Sequence, residues 1–201
     1  MAQMIPVRGQ PEPASFNAKV RVKGIAHLTS KGLALNKPLP SGTEVSPYWR
    51  ESLTDLHVAY EGICAYLGIY FERVGGVSVD HFIAKSVSAA DIYEWDNYRL
   101  ACSTMNSRKR DYNTVLDPFH LAKDLFHLQL STGHIYPKPG IAARPMRLIE
   151  ETIETLGLDD AICREIRSRR YQEYLQYQLP ADYLKLTSPF IWSEANRQGL
   201  L

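Results

Sequence analysis

Cysteine and long hydrophobic runs are both scarce in this chain, and each scarcity excludes a class of protein. Three cysteines in 201 residues are too few, and odd in number, for a disulfide framework, which favours a reducing compartment. No apolar run approaches the roughly 20 residues that cross a bilayer, and the start, Met-Ala-Gln-Met-Ile-Pro, lacks the basic-then-apolar pattern of a signal peptide. We therefore expect a cytoplasmic protein with no membrane partner.

The chain also lacks a strong net charge. Its 23 basic and 22 acidic residues leave a formal net charge of +1, so any surface that binds nucleic acid must be built from local clusters. Apolar residues make up 45% of the chain and charged residues 22%, which is ordinary for a globular protein. The length allows one well-buried domain with additions, or barely two small ones.

Composition divides the chain near residue 45. Residues 1–45 are rich in Pro, Gly and Lys, which predicts an extended N-terminal arm rather than a packed domain. The arm carries too many apolar residues for a linker in solution, so we expect it to lie along the domain or a partner. Residues 46–201 form the predicted domain, and its last part, from about 145 to 201, is predicted to be helical.

Hydrophobic periodicity predicts both helices and strands within that domain. Apolar residues from Leu53 to Leu67 recur at steps of three and four, a helical stripe. From about 77 to 110 the predicted order is strand, long loop, strand and short helix, and a hairpin follows over residues 125–136. The sequence therefore predicts an α+β fold.

A sparse set of polar residues stands along residues 79–109 in otherwise apolar surroundings. Asp80 and His81 come first, Asn97 follows in mid-segment, and Asn106 and Lys109 close the set. Carboxylate and amide oxygens are the hard ligands that Mg²⁺ prefers, and His is the side chain best suited to accept a proton near neutral pH. The pattern predicts a metal-assisted site that cleaves phosphodiester bonds. The chain would then be a nuclease.

The same residues resemble a known family. The order Asp-His, Asn, and Cys102-x-x-x-Asn106-x-x-Lys109 is similar to that of the HNH endonucleases, whose core is the ββα-metal finger, and the similarity covers residues 60–119. It implies an HNH finger, at about 77–110, embedded in a mainly helical domain. It also implies Mg²⁺-dependent endonucleolytic cleavage of DNA.

The flanks of the finger resemble a narrower group. They are similar to the short HNH subunits of bacterial anti-phage systems such as Septu, in which an HNH protein works beside an ATPase. This resemblance implies an ATPase partner subunit and a role as the nuclease of a defence complex. The matching stretches are residues 5–8, 47–50 and 156–160.

The HNH resemblance implies one role for each polar residue. His81 would be the general base that activates the attacking water. Asp80 and Asn106 would hold Mg²⁺, for which Mn²⁺ is an expected substitute. Asn97 would hold the loop so that His81 points correctly, although Asn also favours turns and could simply cap one here.

Basic residues near the finger are the predicted contacts to DNA. The resemblance implies that Arg108 and Lys109 touch the scissile or neighbouring phosphates, and Arg110 extends this cluster. Lys85 in the loop is a further candidate for DNA contact, or equally a solvated loop lysine.

One departure from the family concerns zinc. Many HNH proteins brace the finger with two Cys-x-x-Cys pairs, whereas here Cys64 and Cys102 each keep only the first cysteine. Leu67 and Met105 stand where the second cysteines would be. Two thiolates do not complete a tetrahedral zinc site, so we do not expect a structural zinc.

Two other classes of function remain open from the sequence. The chain could be a nucleic-acid-binding module with a relic finger, or a scaffold subunit that assembles through the arm and the Tyr-rich C-terminal helix. Loss of function in Asp80→Ala or His81→Ala with normal assembly would favour the enzyme. One HNH site cleaves one strand, so a double-strand break would require a homo-oligomer or two successive cleavage events by the same protein.

Overall fold

The structure is a computed structural model that describes residues 7–122 and 124–201. It mixes helices with small two-stranded sheets, as the α+β prediction requires. The chain divides into two compact units: the N-terminal unit, Gly9–Gly62 and Glu72–Asn113, and the C-terminal unit, Ile63–Phe71 and Thr114–Leu201 with the described residues up to Arg8. These bounds differ from the predicted 1–45 and 46–201, and the first six residues of the predicted arm lie outside the described part.

The middle of the predicted arm is helical in the structure. One turn of π-helix, Asn17–Arg21, continues into helix α1, Val22–Ser30. Every fourth residue on one face of this helix is buried, at Phe16, Val20, Gly24 and Leu28. The prediction of an extended arm is wrong here because its prolines flank this regular period and do not interrupt it. Gly24 allows close packing, since an added Cβ would lie 2.2 Å from ring atoms of Tyr93.

Aromatic side chains tie this helix to the core of the N-terminal unit. The Phe16 ring meets Trp95 and Tyr98 edge to face, at centroid distances of 5.5 and 5.7 Å. All three side chains are buried, and burying a side chain of this size stabilises the fold by about 2–3 kcal/mol. Arg21 adds an ion pair with Glu94 at 2.8 Å. The N-terminal helix is therefore part of the unit that carries the candidate site.

Helix α2 is shorter than the periodicity predicts. A 3₁₀ turn, Tyr48–Ser52, leads into α2, Leu53–Ala59. Glu61 and Gly62 then adopt positive φ angles of 52° and 70°, and this left-handed pair ends the helix. The apolar pattern continues to Leu67 because the following residues form a buried loop.

The predicted strand–loop–strand–helix order is confirmed in the N-terminal unit. Strand β1, Val77–His81, pairs antiparallel with β2, Tyr98–Cys102. The loop between them contains two short 3₁₀ turns. Helix α3, Ser103–Lys109, follows β2 directly and packs against both strands. This arrangement sets the end of β1 beside the first turns of α3.

Before β1, Tyr70 forms an isolated antiparallel bridge with Ile63 within the C-terminal unit. The residues before β1 form a turn, in which Val74 (φ −80°, ψ 109°) and Gly75 (φ 80°, ψ 0°) have the angles of a type II β-turn.

The C-terminal unit contains the predicted hairpin and helices. Gly157, with φ 55°, ends the first long helix, and the Asp160 side chain accepts a hydrogen bond from the Cys163 N–H to begin the next. Within the described residues, no helix combines the length and apolar character needed to cross a bilayer. The elements are β3, Phe126–Gln129; β4, His134–Pro137; α4, Ala143–Leu156; α5, Ala161–Gln176; α6, Ala181–Thr187; and α7, Pro189–Arg197.

A buried cation connects the hairpin to helix α5. Arg167 is 1% exposed, and its guanidinium donates to the carbonyl oxygens of Gly133 and Leu158. Burial lowers the pKa of Arg167 to about 10, so the side chain stays charged at neutral pH. Gly133 itself packs against helix α5, because an added Cβ would lie 2.0 Å from the carbonyl oxygen of Arg164.

Candidate active site

Three of the residues predicted for catalysis line one pocket of the N-terminal unit. Strand β1 contributes Asp80 and His81, and helix α3 contributes Asn106, to an open pocket of about 730 Å³. The pairing of β1 with β2, followed at once by α3, brings these side chains together although 26 positions separate Asp80 from Asn106. The remaining lining combines apolar residues with three cations and one further carboxylate, and includes Leu39, Pro40, Trp49, Arg50, Leu53, Lys85, Arg110 and Asp111.

His81 is held in a single neutral form. Its Nε2 lies 2.9 Å from the carbonyl oxygen of Ile92, and since a carbonyl only accepts, Nε2 carries the ring proton. No described residue bonds to Nδ1, which is therefore the proton acceptor of the ring. Burial lowers the pKa of His81 to about 3, with a further contribution from the Lys85 charge. The imidazole is thus neutral at neutral pH, as a general base must be.

The surroundings of His81 also fix its orientation. Trp49 and Tyr98 contact the imidazole edge to face, with centroids 4.9 and 5.1 Å away. The Tyr98 hydroxyl donates to the same Ile92 carbonyl at 2.9 Å, and burial raises the pKa of this phenol above its ordinary value. The Ile92 carbonyl oxygen therefore receives two donors, and the ring is held from three sides.

Lys109 does not have its predicted role. Its side chain is completely buried, and Nζ donates to the carbonyl oxygens of His81 and Phe82 at 2.8 and 2.6 Å. Nζ also lies 3.9 Å from Asp80 Oδ1. An enclosed ammonium cannot reach a substrate phosphate, so the predicted contact between Lys109 and a phosphate is wrong. Lys109 compensates the buried Asp80 carboxylate, since buried charges require partners, and fixes the chain just after β1.

Asn106 presents its side-chain oxygen as an acceptor. The amide nitrogen Nδ2 donates to Ser78 Oγ at 2.9 Å and to the Val79 carbonyl at 3.4 Å. Ser78 Oγ in turn donates to the carbonyl of Ala101 at 3.3 Å. These acceptors set the orientation of the amide, and Oδ1 has no hydrogen bond from any described residue. Sequence reasoning missed Ser78, which has no distinguishing spacing of its own.

Asn97 is buried at the base of the β1–β2 loop. Its Oδ1 accepts from the Ile83 N–H at 2.7 Å, and its Nδ2 donates to the carbonyls of Ile83 and Asp91 at 3.0 and 2.9 Å. The side chain therefore joins the two ends of the loop whose Ile92 carbonyl holds His81. It does not line the pocket.

Only some of the basic residues predicted to contact DNA line the pocket. Lys85 and Arg110 line the pocket, whereas Arg108 is half-buried and does not. Two further pocket residues, Trp49 and Arg50, had no predicted role. They lie about 30 positions before the motif, and no local pattern connects them with it.

The Asp80 carboxylate and Asn106 Oδ1 together fit the donor set of Mg²⁺. This ion is commonly held by one or two protein oxygens and takes its other ligands from water and substrate phosphate. The described residues contain no group of three or more His, Cys, Asp or Glu side chains placed to hold a metal, which a site of this kind does not need. Cys64 and Cys102 are buried, in no disulfide, and belong to different units.

Replacing Ser78 with alanine is expected to weaken metal binding about 10-fold, because partners that orient a ligand typically contribute 10- to 100-fold to affinity. Calorimetric titration with Mn²⁺ measures the effect. Ser78→Thr, which keeps the hydroxyl, should restore affinity, and Ser86→Ala, an exposed serine of the same pocket, is the control. Unchanged affinity in Ser78→Ala would contradict this role.

The chain matches no protein-family model and no curated protein sequence.

Proposed function

We propose that this chain is a metal-dependent endonuclease of the HNH type that hydrolyses DNA phosphodiester bonds. One observation carries the proposal: an antiparallel strand pair and the helix that follows bring Asp80, His81 and Asn106 to one pocket with a basic rim. A neutral histidine, a carboxylate and an amide oxygen are the groups that metal-assisted hydrolysis needs.

The residues of the chain suit a single hydrolytic step. Nδ1 of neutral His81 accepts a proton from the attacking water. The water oxygen then bonds to phosphorus as the phosphorus–oxygen bond to the leaving group breaks. Mg²⁺ held by Asp80 and Asn106 would polarise the phosphoryl oxygen and stabilise the leaving alkoxide. The incoming phosphate charge favours the protonated imidazole, and a bound Mg²⁺ would oppose this effect.

The proposed partners rest on the resemblance to the HNH subunits of anti-phage systems. Non-specific affinity for DNA scales with the number of phosphates neutralised, and among the described residues three cations line the pocket, Arg50, Lys85 and Arg110. Weak intrinsic affinity suits a nuclease that a partner delivers to its target. An ATPase subunit would supply that delivery in a defence complex.

Plasmid cleavage tests the proposed function. We expect nicking with Mg²⁺ or Mn²⁺, none in EDTA, and at least about a 100-fold lower rate in Asp80→Ala, because that carboxylate would be a metal ligand. The matched control is Asp111→Ala, an exposed carboxylate of the same pocket, which should cleave at close to the wild-type rate. The assay is run with and without any host protein that co-purifies with the chain, which would serve as the partner. Cleavage that persists in EDTA, or no cleavage with the partner present, would contradict the proposal.

A further inference from the structure

Most basic side chains near the start of the N-terminal unit are paired with carboxylates. Arg21 pairs with Glu12 and Glu94, and Lys23 with Glu51. Lys19 likewise lies near Asp55, at 3.7 Å. Carboxylates therefore compensate these three cations, even at exposed positions.

Arg50 and Lys85 differ from these three residues. Both line the pocket, and no described carboxylate forms an ion pair with either. Burial lowers the pKa of Lys85, and the nearby Arg50 charge lowers it further. Two neighbouring cations, one of them half-buried, carry an electrostatic cost that a bound anion would remove.

Trp49 connects these cations to the candidate general base. The Lys85 Nζ lies 4.4 Å from the centroid of the Trp49 ring, a cation–π contact that holds the ammonium in place. The same ring contacts His81 edge to face at 4.9 Å. Lys85 is thus held beside His81 by a rigid aromatic side chain, and Arg50 follows Trp49 directly in the chain.

We infer that Arg50 and Lys85 form a phosphate subsite beside His81, which takes a phosphodiester oxyanion of the substrate strand. The guanidinium fork matches two phosphate oxygens, and the ammonium adds a point charge. Lys85 was already a candidate for DNA contact, and Arg50 joins it in the role that the resemblance implied for Lys109. The inference rests on the proposed function only in naming a DNA strand as the source of the phosphate.

Salt-dependent binding of DNA tests the subsite without any cleavage. Fluorescence anisotropy follows a short fluorescein-labelled single-stranded DNA in EDTA over a range of NaCl concentrations. Each neutralised phosphate contributes about 0.7 to the slope of log K against log salt for single strands. The double variant should lower that slope by about 0.7, and Lys85→Met and Arg50→Met should each lower it by part of that amount, because both cations bind the same phosphate.

Arg73→Met is the matched control, since Arg73 is exposed in the same unit and does not line the pocket. It removes the same charge and should leave the slope unchanged. Inorganic phosphate, added at constant ionic strength, should displace DNA from the wild type but not from the double variant. The displacement shows that the oxyanion, and not the base, is recognised.

The possible outcomes separate this inference from the nuclease proposal. Unchanged slopes in both pocket variants, an equal loss in Arg73→Met, or no salt-dependent binding by the wild type would each overturn the subsite. The expected slopes in a protein that cleaves nothing with Mg²⁺ and its partner would support the subsite and contradict the nuclease. Circular dichroism of each variant confirms that the fold is retained.

Discussion

Replacing His81 with alanine is expected to reduce the cleavage rate by about 10²- to 10⁴-fold, the usual contribution of a positioned general base. The ring is neutral, its Nε2 proton is committed to the Ile92 carbonyl, and Nδ1 is left to accept the proton of the attacking water. Single-turnover cleavage of plasmid at saturating Mg²⁺ measures the chemical step. DNA binding in EDTA should change little, because the phosphate contacts are on Arg50 and Lys85.

A second histidine provides the control for this variant. His120 is exposed and pairs only with Asp117 among the described residues, so His120→Ala should cleave at the wild-type rate. The pH profile gives an independent check. Protonation removes the base, and burial lowers the pKa of His81 to about 3. The midpoint of the acid limb in the pH profile of kcat/KM should therefore lie below pH 6.5, the ordinary pKa of histidine. Near-normal cleavage by His81→Ala would show that the base is elsewhere.

Replacing Arg167 with methionine is expected to cost about 2–6 kcal/mol of folding stability, because two buried carbonyl oxygens lose their donor at about 1–3 kcal/mol each. The change leaves the carbonyls of Gly133 and Leu158 without their donor in a site that water does not reach. A domain is commonly stable by only 5–15 kcal/mol, so this is a large fraction. The shift of the urea midpoint measures it.

Arg169→Met is the matched control on the same helix. The Arg169 side chain is 58% exposed, and its nearest carboxylate, Glu173, is 3.9 Å away. Surface substitutions of this kind usually change stability by less than about 0.5 kcal/mol. Equal midpoint shifts in the two variants would mean that the buried guanidinium contributes no more than a surface one.

Local patterns predicted the part of the site that is close together in the chain. The strand before Asp80, the loop without a regular period and the short helix carrying Asn106 are each signalled within a few residues. Together they predicted the strand–loop–strand–helix order, and the pairing of β1 with β2 then brings Asp80 and His81 close to Asn106. The pocket follows because the order alone determines which strand end meets the helix.

Burial and distant partners were beyond the same reasoning. A lysine near the end of a short helix is usually solvated, and only the packed structure shows that Lys109 is enclosed with Asp80. Trp49 and Arg50 reach the pocket through the packing of an earlier segment, which no local spacing encodes. The helix over residues 17–30 was missed because the flanking prolines outweighed its period of four.

The hydrogen bond from His81 to a peptide carbonyl has a consequence for how the loop can evolve. Every amino acid provides the same carbonyl, so substitutions at Ile92 cannot remove the group that selects the tautomer. The constraint passes instead to whatever keeps the loop on its path, above all the three hydrogen bonds of the Asn97 amide. The loop can therefore drift in sequence, as long as its course is preserved, without altering the chemistry of the base.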